Sequence, residues 1–232
     1  MKKLILTIIT LTIITLNGCY DPDTATVRIN LGNMPIAHHE PKSFIDRILG
    51  LFEKEAWAEP LYPAILVDKV HIAAISNDVV IASASIDAVD IEAEYNYSQQ
   101  FESVVELDVP AGEDIRIVVI GEYTPDIGGL TELSHYGHNT DKIVLKPGET
   151  TSVPITVQDI SDYISFNRYS PPAPPLYLSW DKLPGATVVI SGSASGEIYR
   201  GKGTRVDVAI FEDQYTGTVI FEFTGLSYTD TF

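Results

Sequence analysis

Cysteine is almost missing from this chain. Cys19 stands alone in 232 residues, so no disulfide can form within the chain and the core must hold the fold. Basic residues are scarce as well: 15 Lys and Arg face 32 Asp and Glu, for a formal net charge of −17. Nucleic acid and anionic lipid surfaces are recognised through clustered Lys and Arg, so neither is an expected partner. Long apolar runs are lacking too. Leu4 to Leu16 is thirteen residues of Leu, Ile and Thr, whereas a spanning helix needs about 20 apolar residues. There is no Gly-x-Ser-x-Gly elbow and no phosphate-binding glycine loop, which removes two common catalytic frameworks.

What is present begins with an address. Lys2 and Lys3 introduce the short apolar run, and small residues follow it, the pattern of a secretory signal that is removed. Leu16-Asn17-Gly18-Cys19 resembles the lipobox of bacterial lipoproteins; Leu16 and Gly18 match the pattern and Asn17 departs from it. The resemblance covers residues 1–19. It implies cleavage after residue 18 and lipidation of Cys19, with the bilayer as the partner of the acylated cysteine. One acyl chain is a marginal anchor and two or more are durable. Loss of Lys2 and Lys3 takes the formal charge from −17 to −19. Residues 19–25 read as a lipidated tether. Tyr20 holds the position where an Asp favours inner-membrane retention in enteric lipoproteins, so the outer membrane is the expected location, in the periplasm or at the surface.

The remainder reads as all-β. Val105, Leu107 and Val109 alternate with Glu106 and Asp108, the period of a half-buried strand. Ile115 to Ile120 is apolar on both faces apart from Arg116, which predicts a central strand. Lys146-Pro147-Gly148-Glu149 fits a type II turn between 143–145 and 153–157. Pro154 cannot donate to a ladder and predicts an edge. Val70, Ile72 and Ala74 share a face up to a turn at Ser76-Asn77-Asp78, followed by Val80, Ala82, Ala84 and Ile86. Ala93, Tyr95 and Tyr97 alternate again, and Thr26 to Leu31 opens the series. The count is that of a sandwich over 26–160. Val-Pro-Ala-Gly-Glu and Leu-Lys-Pro-Gly-Glu are similar to the strand-turn pieces of immunoglobulin-like or transthyretin-like β-sandwich modules.

One stretch departs from this rhythm. Ser43 can cap a helix, and Ile45, Ile48, Leu49, Phe52 and Ala56 recur at helical spacing, so an amphipathic helix is expected over about 43–56, packed on an edge or open end of the sandwich. The alternative rests Phe44, Leu51, Phe52 and Trp57 in the membrane interface, against which the balanced charge of its polar face stands. Ser170-Pro171-Pro172-Ala173-Pro174-Pro175 favours an extended linker, placed at 161–175. Beyond it, Leu176 to Asp181 with Trp180 is similar to the opening of a fibronectin type III strand, which implies a small fibronectin type III-like β module at 176–232. The strands 187–190, 206–211 and 218–223, with their neighbours, make about five. That is thin for an independent core, so the module either packs onto the first domain or is incomplete.

Chemistry is sparse. His135, His138 and Asp141 offer two imidazoles and a carboxylate to a metal, and His38-His39 a weaker pair, but such spacing on a loop is unspecific. Asp87, Asp90, Glu92 and Glu94 form the densest acidic group. Calcium takes such oxygens, yet the EF-hand loop is absent and a solvated face is the better reading. Ser191 to Gly196 reads as a hairpin loop. No cofactor and no catalytic residue is expected. The expectation is a membrane-anchored cell-envelope lipoprotein, not an enzyme, binding a glycan or protein through loops rich in Tyr and Asp. The alternative is an envelope polysaccharide or peptide hydrolase, metal-assisted through His135 and His138.

Overall fold

The computed structural model describes residues 23–31, 67–88, 92–95, 101–124, 130–172 and 175–232, with backbone alone at 92–95, 101 and 102. Cys19 and the signal segment, His38-His39, the expected 43–56 helix and Asp90 lie outside the described residues. The first ten strands are β1 (Thr24–Asn30), β2 (Lys69–Ser76), β3 (Val79–Asp87), β4 (Glu92–Tyr95), β5 (Phe101–Pro110), β6 (Gly112–Tyr123), β7 (Glu132–His138), β8 (Ile143–Leu145), β9 (Thr150–Pro154) and β10 (Gln158–Asp159). One short helix, α1 (Ile160–Tyr163), follows. Then come β11 (Phe166–Tyr169), β12 (Leu176–Trp180), β13 (Thr187–Gly192), β14 (Gly196–Gly201), β15 (Arg205–Val208), β16 (Tyr215–Phe221) and β17 (Leu226–Thr231). The fold is an all-β sandwich architecture.

Alternation builds the first sandwich. Val27 and Ile29 of β1, Val105, Leu107 and Val109 of β5, and Val153 of β9 point from one sheet, ordered β4-β5-β1-β9, into a common core. Val70, Ile72 and Ala74 of β2 and Ile115, Ile117 and Val119 of β6 meet them from a second sheet, ordered β10-β7-β6-β2-β3, with β8 also on β6. β1 starts two residues before the expected Thr26, and Ala25 is already buried, so the sandwich takes in residues 24 and 25 as well. Pro154 lies in β9 at the edge of its sheet, in parallel register with Asn30 of β1. The turn before β9 is as expected: the Glu149 N–H donates to the Lys146 carbonyl at 3.2 Å and Gly148 has φ 78°. Between β2 and β3, Asn77 and Asp78 both carry positive φ, the backbone of a two-residue hairpin turn.

β2 and β6 are buried on both faces, and the second face explains the C-terminal region. Ala73 and Ile75 of β2, Val118 and Ile120 of β6, and Leu133 and Tyr136 of β7 share one core with Leu178, Trp180, Val188, Ile190, Tyr215, Val219 and Phe221. The C-terminal module therefore packs onto the first sandwich, and the apolar content of Ile115 to Ile120 serves two layers. The module is fuller than its sequence indicates. β11-β12-β15 faces β14-β13-β16-β17, a three-on-four sandwich. Residues 161–175, expected as a linker, hold part of α1 and all of β11. β11 pairs antiparallel with β12, Phe166 opposite Trp180, so the proline run joins two neighbouring strands of one sheet. The reason is Phe166, a buried ring 6.1 Å from Trp180 and 5.2 Å from Phe232, which draws this stretch into the core.

Two local devices fix the module. Tyr215, at the start of β16, is fully buried, and its hydroxyl accepts from the Glu212 N–H at 2.9 Å while donating to the Ile210 carbonyl at 3.3 Å. This is a tyrosine corner, a ring in the core whose hydroxyl ties down the preceding connection. At the junction, Leu183-Pro184-Gly185-Ala186 turns with the Ala186 N–H donating to the Leu183 carbonyl at 3.2 Å. Gly185 has φ +72°, and a Cβ there would lie 2.7 Å from Ile75 Cδ1 of the first sandwich. Lys182 adds an ion pair to Asp78 at 2.8 Å across the same seam.

Tyr215→Phe should lower the unfolding free energy by about 1 kcal/mol, the worth of a hydrogen bond, with an unchanged denaturant slope in urea titration. Gly185→Ala should cost more than about 1 kcal/mol, since it adds strain at positive φ to a contact with Ile75. A neutral result in the same titration would mean that the two modules do not bear on each other at this turn.

Candidate functional site

A polar side chain organises a cleft at the end of β7. Asn139, directly after β7, is buried; its Oδ1 accepts from the Ile117 N–H at 2.5 Å and its Nδ2 donates to the Asp141 carbonyl. Arg116 holds the same loop from the other side, donating to the carbonyls of Asn139 at 3.2 Å and Thr140 at 2.9 Å. Loop 139–142 thus becomes a fixed wall. Opposite it stand Ser152, Val153 and Pro154 of β9, then Thr156 and Gln158, with Tyr163 of α1 and His138 at the base. Together with Ile143 they enclose about 480 Å³.

The His138 and Tyr163 side chains form a pair, with Nδ1 and the phenol oxygen 2.9 Å apart and the rings edge to face at 5.5 Å. Burial pushes the His138 imidazole below its ordinary range, and Arg116 adds to the effect. Burial also raises the Tyr163 phenol, with Asp181 adding to it and Arg116 opposing. Both groups therefore stand neutral at pH 7 and offer hydrogen bonds rather than charge. Behind them Tyr136 is fully buried, 4.7 Å from the Tyr163 ring and 5.5 Å from Phe221; its hydroxyl has no partner among the described residues, and burial holds its phenol well above the usual range.

The residues singled out in sequence are divided by this geometry. His138 and Asp141 line one cleft. His135 is three residues from His138 on a strand, so alternation sends the two imidazoles to opposite faces of the sheet. His135 instead meets the Ser134 hydroxyl at 3.0 Å; burial lowers its pKa and Asp159, its neighbour on β10, opposes this. Among the described residues no group of three or more His, Cys, Asp and Glu gathers to hold a metal ion. Asp87 is solvated, 3.5 Å from Lys69, and only the backbone is described at Glu92 and Glu94. The hairpin expected at Ser191 to Gly196 joins β13 and β14. A second cleft, of about 370 Å³, lies at the module seam and is lined by Arg116, Lys142, Lys182, Asp78 and Asp114. Its lysines are ion-paired, Lys142 with Asp114 and Lys182 with Asp78, each at 2.8 Å. It works as a clasp.

Sequence reasoning missed Gln158, Ser152, Thr156 and Tyr163. They lie on three separate segments, and only the pairing of β9 with β1 and of β10 with β7 brings them together.

No family model matches the chain, and no curated protein matches it. Among solved structures the chain is similar to a fimbrial assembly protein from Parabacteroides distasonis, at 10% identity over 90% of this chain and 85% of that one, with a TM-score of 0.31. A superposition at that score bears on neither fold nor function. No helix among the described residues is long and apolar enough to cross a membrane.

His135 and His138 both favour the neutral form when folded, so just below their ordinary pKa of about 6.5 the unfolded chain binds more protons than the folded one. Their contribution to stability is complete above that value and is lost as pH falls through their lowered folded values. Urea midpoints should therefore be lower at pH 5.5 than at pH 7.5, and the difference should shrink in His138→Gln. An equal midpoint at both pH values would contradict this assignment.

Proposed function

We propose that this protein is a lipid-anchored cell-envelope lipoprotein that works without catalysis, as a binding module held to a membrane, the outer membrane in preference to the inner, through acylated Cys19. The observation that carries the binding role is the cleft at His138 and Tyr163. Its walls are fixed by Asn139 and Arg116, while the side chains of Thr140, Ser152, Thr156 and Gln158 on its surface make no hydrogen bond within the described protein. Preformed walls carrying a few outward polar groups are what a small-ligand site needs. The His138–Tyr163 pair offers a ligand hydrogen bonds from two neutral groups at the base of the cleft.

The anchor rests on residues 16–19 and on the strand that follows closely behind them. β1 begins at Thr24, so only a few residues separate Cys19 from the sandwich. Metabolic labelling with palmitate should mark the wild-type chain, and Cys19→Ser should lose the label. Label retained by the serine variant would overturn the anchor.

A further inference from the structure

We propose that the cleft between loop 139–142, β9 and α1 takes an uncharged saccharide unit, held by Thr140, Ser152, Thr156, Gln158 and the paired Tyr163 and His138. This rests on the binding-module reading and names its ligand class.

Charge is the first reason. In a chain with a net charge of −17, Asp141 is the single carboxylate among the described residues lining this cleft, and no Lys or Arg is among them. An anion would meet Asp141 and the acidic field without a cation to hold it, and a cation would find one exposed carboxylate. A neutral ligand meets neither difficulty. The second reason is the kind of polar group. Hydroxyls and primary amides both donate and accept, as sugar hydroxyls do, and those of Thr140, Ser152, Thr156 and Gln158 are unengaged within the described protein. Third, Ile143 and Pro154 add apolar surface to the same space, suited to the C–H face of a pyranose ring. The enclosed 480 Å³ is in the range of small-ligand sites.

A peptide is the competing ligand, and β9 argues against it. Extended peptides dock by adding a strand to a free sheet edge. Here that edge carries Pro154, which has no N–H to offer, so a ladder along β9 is interrupted beside the cleft.

The test uses the full chain in detergent, titrated by isothermal calorimetry and by ligand-observed NMR with lactose, maltose and chitobiose as neutral probes, digalacturonate as an anionic probe and trialanine as a peptide probe. At least one neutral disaccharide should bind in the millimolar range or tighter. Gln158→Ala and Tyr163→Phe should each weaken it by 5-fold or more, on the order of 1 kcal/mol, with circular dichroism showing the fold retained. Gln158 is exposed, so its variant keeps the test meaningful if Tyr163→Phe is damaged. Binding of digalacturonate or trialanine that depends on these residues would overturn the ligand class while leaving a binding module standing. Saccharide binding indifferent to both variants would overturn the site. The absence of binding by every probe would overturn the saccharide assignment, and palmitate labelling, read separately, would still report on the anchor.

Discussion

The structure depends on one sheet being buried twice. β2 and β6 send Val70, Ile72, Ile117 and Val119 into the first sandwich and Ala73, Ile75, Val118 and Ile120 into the second core. Neither face can be given up, because each covers apolar surface that its own module cannot cover alone. A small β module without disulfides has little core to spend. Sharing a layer gives the C-terminal strands the partner they lack. The same constraint places the cleft: β7 is a strand of that shared sheet, Tyr136 anchors it beneath, and His138 emerges at its end beside α1.

Polar groups at the seam follow from this burial. Arg116 sits on the face of β6 that the C-terminal module covers, at a point where the apolar contact runs out. Its guanidinium is used to fix loop 139–142 by two carbonyls rather than to pair with a carboxylate. Lys182 reaches Asp78, and Lys202 reaches the Asp78 carbonyl, so a hairpin of the first sandwich is held by two side chains of the second. The outer face of the module is stabilised differently. Tyr169 and Tyr177 stand 4.7 Å apart across β11 and β12, and the Arg205 guanidinium lies 3.8 Å over the Tyr177 ring.

Strands with one solvated face were legible in the sequence because alternation marks them, as at Val105, Leu107 and Val109. The doubly buried strand was legible as central, since only a strand covered on both sides tolerates Ile115 to Ile120. What covered its second face was hidden, because no local pattern names a partner so distant in the chain as Leu178 or Val219. β11 was missed for a related reason: Phe166-Asn167-Arg168-Tyr169 carries no aliphatic residue, and its pairing is set by Trp180. The site was half visible. His138 and Asp141 stood out as titratable residues, yet the chemistry they share with Tyr163 and Gln158 is hydrogen bonding by neutral groups, which no spacing rule reports. The pairing of His135 with His138 failed on the geometry of a strand, where three residues change face.

β1 has a mechanical meaning of its own. It is an interior strand, antiparallel to β5 on one side and parallel to β9 on the other, and it is the first described strand after the N-terminal segment. Any tension arriving from that end is taken along the strand axis and is borne in shear by both ladders at once, so the backbone bonds must give way together instead of unzipping one by one. A chain pulled from its front end is thus gripped where it is hardest to peel.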